Sequence, residues 1–91
     1  MQCYVYGSEK KPDYYLYLPQ QFSEEYQQDH VPPALMDMLG ELNFVIEFDL
    51  DESRELAQAD ARQVLKDIAS NGYFLQMPVK DMRALEDQLF N

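Results

Sequence analysis

The chain has 91 residues, 46% of them hydrophobic, and its 17 acidic and 7 basic side chains give a formal net charge of −10. This length excludes a large enzyme with an enclosed cleft, and the apolar content excludes a disordered chain. The negative charge disfavours direct binding to nucleic acid or anionic lipid, because like charges repel. We therefore expect a single domain over residues 1–91 that folds around one core.

The sequence also carries information about the compartment. No apolar run approaches the roughly 18 residues that a membrane span needs. The opening residues, Met1 to Tyr4, lack the basic start and long apolar stretch of a signal peptide. Cys3 is the sole cysteine, so no internal disulfide can form. These features predict a cytoplasmic protein, present as a monomer or weak dimer.

The first predicted element is a β-hairpin. Residues 2–7 and 13–18 are rich in Tyr, Val and Leu, and the residues between them have turn chemistry. In our interpretation the core-facing residues are Cys3, Val5, Tyr14, Leu16 and Leu18. Alternation along the strands then places Tyr4, Tyr6, Tyr15 and Tyr17 on the opposite face.

A polar stretch and a short helix follow the hairpin. Residues 19–31 look irregular, with Phe22 and Tyr26 as candidate anchors. Pro32-Pro33 then favours the start of a helix, and Gly40 favours its end. The next segment alternates apolar and mostly polar residues, which is typical of a half-buried strand. Its apolar set is Leu42, Phe44, Ile46, Phe48 and Leu50.

The last third of the chain predicts helix, strand and helix. A helical face comprises Ala57, Ala61, Val64, Leu65 and Ile68. Either Ser53 or Asp60 could begin this helix, and we favour a break near Asp60, which is spaced from Gln63 as in a capping box, with Gly72 at the far end. Residues 73–77 form a fourth strand stopped by Pro78, and Met82, Leu85 and Leu89 mark a terminal helix.

Together these elements have the order ββαβαβα. Short connections and the opening hairpin predict an α+β fold, in which a four-stranded, mainly antiparallel sheet carries its helices on one face. The order of the strands within the sheet does not follow from the pattern.

The acidic turn Asp49 to Glu55 superficially matches two kinds of site. Asp49-Leu50-Asp51 resembles the start of haloacid-dehalogenase-like phosphotransferases, but the rest of their large domain has no counterpart here. Side chains of the same turn fall at some of the ligand positions of a calcium-binding loop, but Arg54 occupies the position that needs glycine. His30 lacks further ligands at metal spacing, and Cys3 lacks an activating base. We predict no catalytic, cofactor-binding or metal-binding residues.

The tyrosine-rich strand face is the surface that we predict to bind a partner. Aromatic rings there can stack on unpaired bases, anchor a protein, or pack under residues 19–31. Few cations lie nearby to meet phosphates, so base stacking is disfavoured. The predicted interaction surface comprises Tyr4, Tyr6, Tyr15, Tyr17 and Gln76, and the predicted partner is another protein.

Several segments resemble the YcgL family of small proteobacterial proteins. The most specific are Leu56-Ala57 with Ala59-Asp60, and the run from Gly72 to Pro78. Residues 14–18, 31–40 and 54–57 extend the resemblance to nearly the whole chain. The chain differs from the family pattern in a lengthened 23–30 stretch, in a single Pro78 where relatives often have several prolines, and in its greater acidity.

The resemblance implies an α/β sandwich and a cytoplasmic protein of unknown biochemical function, without catalytic residues to transfer. Family genes often lie beside a gene for ribonuclease D, which implies an association with RNA metabolism. We favour a non-enzymatic protein-interaction or regulatory module. The alternatives are an RNA-metabolism-associated protein acting with a nuclease, and a weak metal-dependent enzyme at the Asp49 to Glu55 turn.

Overall fold

The computed structural model describes residues 1–56 and 59–78. The described elements are β1 (Gln2–Ser8), β2 (Tyr15–Leu18), α1 (Glu24–His30), α2 (Pro33–Leu39), β3 (Leu42–Asp49), α3 (Ala61–Asn71) and β4 (Phe74–Gln76). The predicted α+β class and the four-stranded antiparallel sheet are confirmed. Ala57 and the predicted terminal helix around Met82, Leu85 and Leu89 lie outside the described residues.

The sheet has the order β3-β1-β2-β4, and every neighbouring pair is antiparallel. The hairpin therefore occupies the centre of the sheet, with β3 and β4 at its edges. Its turn is closed by Ser8 N, which donates to Tyr14 O at 3.1 Å, and by Tyr14 N, which donates to Lys11 O at 3.2 Å. Asp13 has a positive φ of 67°, a conformation that aspartate tolerates better than most residues.

Helices cover both faces of the sheet, so the prediction that they share one face is wrong. On the α3 face, the helix residues Ala61, Val64 and Ile68 join a buried cluster with Cys3 and Val5. On the α1/α2 face, a second buried cluster comprises Tyr6, Leu16, Leu18, Val31 and Leu39. The physical reason is that β1 and β2 are apolar on both sides, and each apolar side needs its own cover.

The register of the hairpin differs from the one we expected. Val5 lies opposite Tyr17, whereas Leu16 lies opposite Tyr6. Because residues directly opposite each other in an antiparallel pair share a face, Val5 and Leu16 face opposite ways. The prediction that grouped them on one face is wrong by one residue of register, which moves every side chain of a strand to the other face.

A bulge divides the apolar side chains of β3 between the two faces. The pairing with β1 shifts between Val5 and Tyr6, because Ile46 lies opposite Val5 and Phe44 lies opposite Tyr6, with Val45 as the extra residue. An extra residue reverses the alternation beyond it. Phe44 therefore lies on the α1/α2 face and Ile46 on the α3 face. The prediction that they share one core-facing side is wrong.

The lengthened stretch forms a helix that the sequence did not predict. Ser23 caps α1 by accepting a hydrogen bond from Tyr26 N at 3.1 Å, and two glutamates occupy the first turn, where the helix dipole favours them. The predicted anchors Phe22 and Tyr26 pack against the α1/α2-face cluster. The hydroxyl of Tyr26 donates to Gly72 O at 2.6 Å, just beyond the end of α3.

The boundaries of α2 and α3 agree with the sequence signals. α2 has proline in its first turn, and Gly40 follows its last residue with φ 72°. α3 begins after Asp60, whose side chain accepts from Arg62 N at 2.9 Å, which confirms the predicted break. Gly72 ends α3 in the left-handed region at φ 88°, where a Cβ would also lie 2.8 Å from His30 Cβ, so only glycine fits both requirements.

Candidate functional site

The residues of the predicted interaction surface do not share a face. Tyr4 and Tyr6 lie on the α1/α2 face, because Tyr4 is opposite Leu18 and Tyr6 is part of the buried cluster there. Tyr15 and Tyr17 lie on the α3 face. One continuous surface that includes all four tyrosines is therefore absent, and the register of the hairpin is the reason.

Two of these tyrosine hydroxyls are engaged inside the protein. Tyr6 accepts a hydrogen bond from Phe22 N at 2.8 Å, which attaches the segment before α1 to the sheet. Tyr17 donates to Gln76 Oε1 at 2.6 Å, and both side chains are buried. Burial raises the pKa of Tyr17, so its hydroxyl keeps the proton that it donates. These residues belong to the packed interior as well as to the predicted surface.

Part of the predicted surface, however, lines an open groove of about 380 Å³ on the α3 face. The groove lies between the β3 edge, the centre of the sheet and the segment that leads towards α3. It is lined by Val5, Tyr15, Tyr17, Val45, Ile46, Phe48, Arg54, Glu55, Leu56 and Gln76. Tyr15, Tyr17 and Gln76 were predicted, whereas the β3 residues and Arg54 were not.

The bulge in β3 creates the outer wall of this groove. Val45 and Ile46 are adjacent in sequence, yet both line the groove. Their side chains are 52% and 48% exposed, and Phe44 on the other face is 58% exposed. Three consecutive large apolar residues on an edge strand are thus in contact with solvent. The run Phe44-Val45-Ile46 breaks strict alternation, and this signal could have revealed the bulge in the sequence.

The groove includes one cationic side chain. The guanidinium carbon of Arg54 lies 4.5 Å from the centre of the Phe48 ring, in a cation–π contact. Glu55 lies beside it in the lining. What the groove offers is a largely apolar surface with a few polar groups at its rim.

The acidic turn after β3 is organised by its own hydrogen bonds. Asp51 Oδ1 accepts from Ser53 N at 2.9 Å and from Ser53 Oγ at 2.6 Å. These bonds, led by the one from the serine hydroxyl, lower the pKa of Asp51. Asp49 Oδ1 lies 3.1 Å from the N-terminal ammonium of Met1. Within residues 1–56 and 59–78, no group of three or more His, Cys, Asp or Glu could hold a metal ion.

Cys3 and His30 occupy structural positions. Cys3 is fully buried on the α3 face, and burial raises the pKa of its thiol to about 11, which is the opposite of what a nucleophile needs. His30 is exposed at the end of α1, and its ring lies 4.3 Å from that of Tyr26, centre to centre. Tyr26 and His30 line a second, more polar concavity of about 370 Å³.

The described helices include none that is long and apolar enough to cross a bilayer. This finding concerns residues 1–56 and 59–78.

The chain is similar in sequence to several known bacterial proteins. A protein from Stenotrophomonas maltophilia described as YcgL domain-containing is 42% identical over 80 residues, which is 86% of each chain. Another from Thioalkalivibrio sulfidiphilus is 40% identical over 85 residues, 93% of this chain and 100% of its own. A longer protein from Nitrosococcus oceani, provisionally named as a HAD-like hydrolase, is 38% identical over 81 residues, which is 89% of this chain and 21% of that one.

The YcgL domain model matches residues 3–79, which include all the described strands and helices apart from Gln2, the first residue of β1. The relatives from Stenotrophomonas and Thioalkalivibrio have the same domain in their names, and the similarity to this chain covers most or all of their length. The chain therefore belongs to the YcgL domain family.

Proposed function

We infer that this chain is a non-enzymatic protein-interaction module, a single domain that works in the cytoplasm and receives another protein on the groove side of β3. The observation that carries this proposal is the exposure of Val45 and Ile46 in the wall of the groove, with Phe44 exposed on the other face of the same strand. Large apolar side chains that cluster in contact with solvent mark binding surfaces on soluble proteins, whereas single exposed ones do not.

The composition of the groove supports a protein partner. Aromatic side chains and arginine are enriched where proteins contact each other, and Tyr15, Phe48 and Arg54 all line the groove. Tyr17 and Gln76 are held by their mutual hydrogen bond and form a rigid floor. A rigid floor reduces the conformational entropy that binding must overcome.

The relative from Nitrosococcus supports an accessory role. The segment similar to this chain makes up about a fifth of that longer protein, which has a hydrolase name. A domain that matches whole small proteins and also part of a larger one behaves as a module. We propose that this chain acts on, or beside, a separate catalytic protein rather than carrying the catalytic groups itself.

The two alternatives gain no such support from the described residues. A net charge of −10 opposes the counterion release that drives RNA binding, so an RNA-metabolism role would act through a nuclease and not through direct contact. The metal-dependent alternative needs converging carboxylates, but Asp49 and Asp51 are engaged by the N-terminal ammonium and by Ser53.

The proposal is tested by affinity capture with a matched pair of variants. The groove variant combines Val45→Ser with Ile46→Ser, and the control combines Ala34→Ser with Ala69→Ser on exposed helix positions. We expect the control to retain a partner that the groove variant loses, and the partner, once purified, to bind the wild-type chain in calorimetry. Equal retention by both variants, with both melting cooperatively, would refute a groove-side interface.

A further inference from the structure

The backbone of β3 has hydrogen-bonding groups on its outer side. Leu50 N donates to Met1 O at 2.7 Å and Met1 N donates to Leu50 O at 3.0 Å, so these residues form a hydrogen-bonded pair. Bonded and non-bonded pairs alternate along an antiparallel ladder. Asp49 lies opposite Gln2, and Glu47 lies opposite Tyr4, so both occupy non-bonded positions. The N–H and C=O groups of these two residues therefore point away from β1.

The other end of β3 gives the same result. Glu9 N donates to Glu41 O at 3.0 Å, which makes this a bonded position. Alternation then turns the backbone groups of Leu42 and Phe44 outward, up to the bulge. Within residues 1–56 and 59–78, β3 pairs with β1 alone. Four residues of β3 thus present donors and acceptors that a further strand could use.

β3 lacks some of the features that protect natural edge strands from pairing, although it does contain a bulge at Val45 and the charged residues Glu47 and Asp49. Such edges usually carry lysine or proline, or are very short. β3 spans the eight residues Leu42–Asp49 and contains neither lysine nor proline. Its exposed apolar residues would make it prone to unspecific association unless it had a designated partner.

The two faces of β3 differ in chemistry. Phe44 and Glu47 are neighbours on the α1/α2 face, because they lie opposite Tyr6 and Tyr4 of β1. On the α3 face Val45 and Ile46 line the groove. A strand paired with β3 would therefore meet an acidic group on one side of the sheet and an apolar wall on the other.

The charges around β3 are unbalanced. Residues 41–55 contain six acidic side chains and one basic side chain, Arg54. Asp49 is compensated by the N-terminal ammonium of Met1 at 3.1 Å. Glu47 accepts from the uncharged amide of Gln2 at 2.9 Å, which leaves its charge in place. The edge therefore complements a cationic partner.

We propose that β3 binds an extended segment of another protein as a fifth strand, and that this segment alternates apolar and basic residues. Its backbone pairs with Leu42, Phe44, Glu47 and Asp49. Its apolar side chains enter the groove beside Val45, and its basic side chains lie on the opposite face near Glu47. This is the strand-addition mode of peptide recognition. The proposal rests on the proposed function and specifies the partner's chemistry.

The first experiment measures amide hydrogen exchange in the full chain alone. We expect fast exchange at Phe44, Glu47 and Asp49, and slow exchange at Phe48, whose amide faces β1. Slow exchange of the outward amides in dilute protein would mean that the chain covers its own edge. Protection that grows with protein concentration would mean that a second copy pairs there. Either result overturns the proposal.

The second experiment adds a synthetic probe, a peptide of alternating lysine and valine as long as β3. We expect saturable binding below about 1 mM, with the outward amides becoming protected. The comparison peptides have glutamate in place of lysine, or the same side chains with every backbone nitrogen methylated. Both should fail, since one repels the edge and the other cannot donate to it.

A charge variant tests the predicted contact. Glu47→Gln should weaken binding of the basic peptide about threefold to tenfold, whereas the matched change Glu24→Gln on α1 should leave it unchanged. Equal weakening by both would indicate attraction to net charge alone and would overturn the contact at β3.

The outcomes separate this inference from the proposed function. If the methylated peptide binds as well as the unmodified one, strand addition is wrong, while a groove-side interface stands. If none of the peptides binds, a basic β-strand partner is wrong, and the capture experiment with the Val45 and Ile46 variant still decides the interface. If that capture experiment also fails, both proposals are wrong.

Discussion

The two faces of the sheet differ in how completely they are covered. On the α1/α2 face, two short helices and the segment before them cover Tyr6, Leu16 and Leu18 almost completely. On the α3 face, a single helix covers the centre of the sheet, and the part beside β3 remains an open apolar groove. In a domain this small, apolar surface that stays exposed to solvent does not contribute to the free energy of folding. The first face therefore mainly stabilises the fold, whereas the second leaves apolar side chains of the sheet open to solvent.

The largest expected effect comes from truncating the closed face. Leu16 is fully buried, so Leu16→Ala should lower the free energy of unfolding by about 2–5 kcal/mol. Ile46→Ala, on the open groove, should lower it by about 1 kcal/mol or less, because that side chain is already half in water. Urea denaturation of both variants measures the difference, and equal losses would mean that the groove is closed in solution.

The next effect concerns pH and the core of the α3 face. Burial raises the pKa of Cys3 to about 11, above the ordinary value of 9.0, so the folded state keeps a proton that the unfolded state loses. Stability from this group is therefore complete below pH 9.0 and falls as the pH rises towards 11, by about 2–3 kcal/mol in all.

The variant Cys3→Ala isolates this contribution. It should be less stable than the wild type at pH 7 because it leaves a small cavity, but it should lose less stability on going to alkaline pH. The variant also lacks the Cys3 charge that contributes to the raised pKa of Tyr17, so both effects of Cys3 ionisation are absent from it and the two stability curves should converge. Parallel curves in chemical denaturation from pH 7 to 11 would contradict the assigned cause.

A smaller effect is expected in the floor of the groove. Tyr17→Phe removes the buried hydroxyl that donates to Gln76 and should cost about 1–3 kcal/mol. Tyr15→Phe, at a half-buried position in the same groove, should cost less than that. Thermal unfolding of the two variants gives the comparison, and an equal cost would mean that the Tyr17 hydroxyl contributes little.

The smallest effects are expected at the helix caps, one for each face. Ser23 caps α1 and Asp60 caps α3, so replacing either by alanine should cost about 1 kcal/mol. Ser70→Ala, at an exposed position inside α3, is the control and should cost nothing. If Ser23→Ala proved neutral, α1 would depend on the packing of Phe22 and Tyr26 and not on its cap.

Much of this fold followed from local chemistry in the sequence. The strands, the break at Asp60, the α2 helix and the glycine ends of α2 and α3 all depend on residues that act on their immediate neighbours. The family resemblance was also readable from short runs such as Gly72 to Pro78. These features need no knowledge of distant contacts.

What the sequence did not reveal depends on contacts between distant segments. The register of the hairpin places Val5 with Tyr17, and it decided which tyrosines share a face. The bulge at Val45 depends on pairing with β1, and it turned a predicted core strand into the wall of a groove. The helix α1 escaped notice because its sequence is polar, and its packing comes mostly from Phe22 and Tyr26 at its start.

The hydrogen bond from Tyr26 to Gly72 has a consequence for how the molecule opens. It joins a helix on one side of the sheet to the end of the helix on the other side. Layers linked in this way should not come apart separately, because releasing either one breaks the same bond. Residues of α1 and α3 should therefore belong to one cooperative unit, with a common opening free energy in native-state exchange, although α1 alone is too short to persist in water.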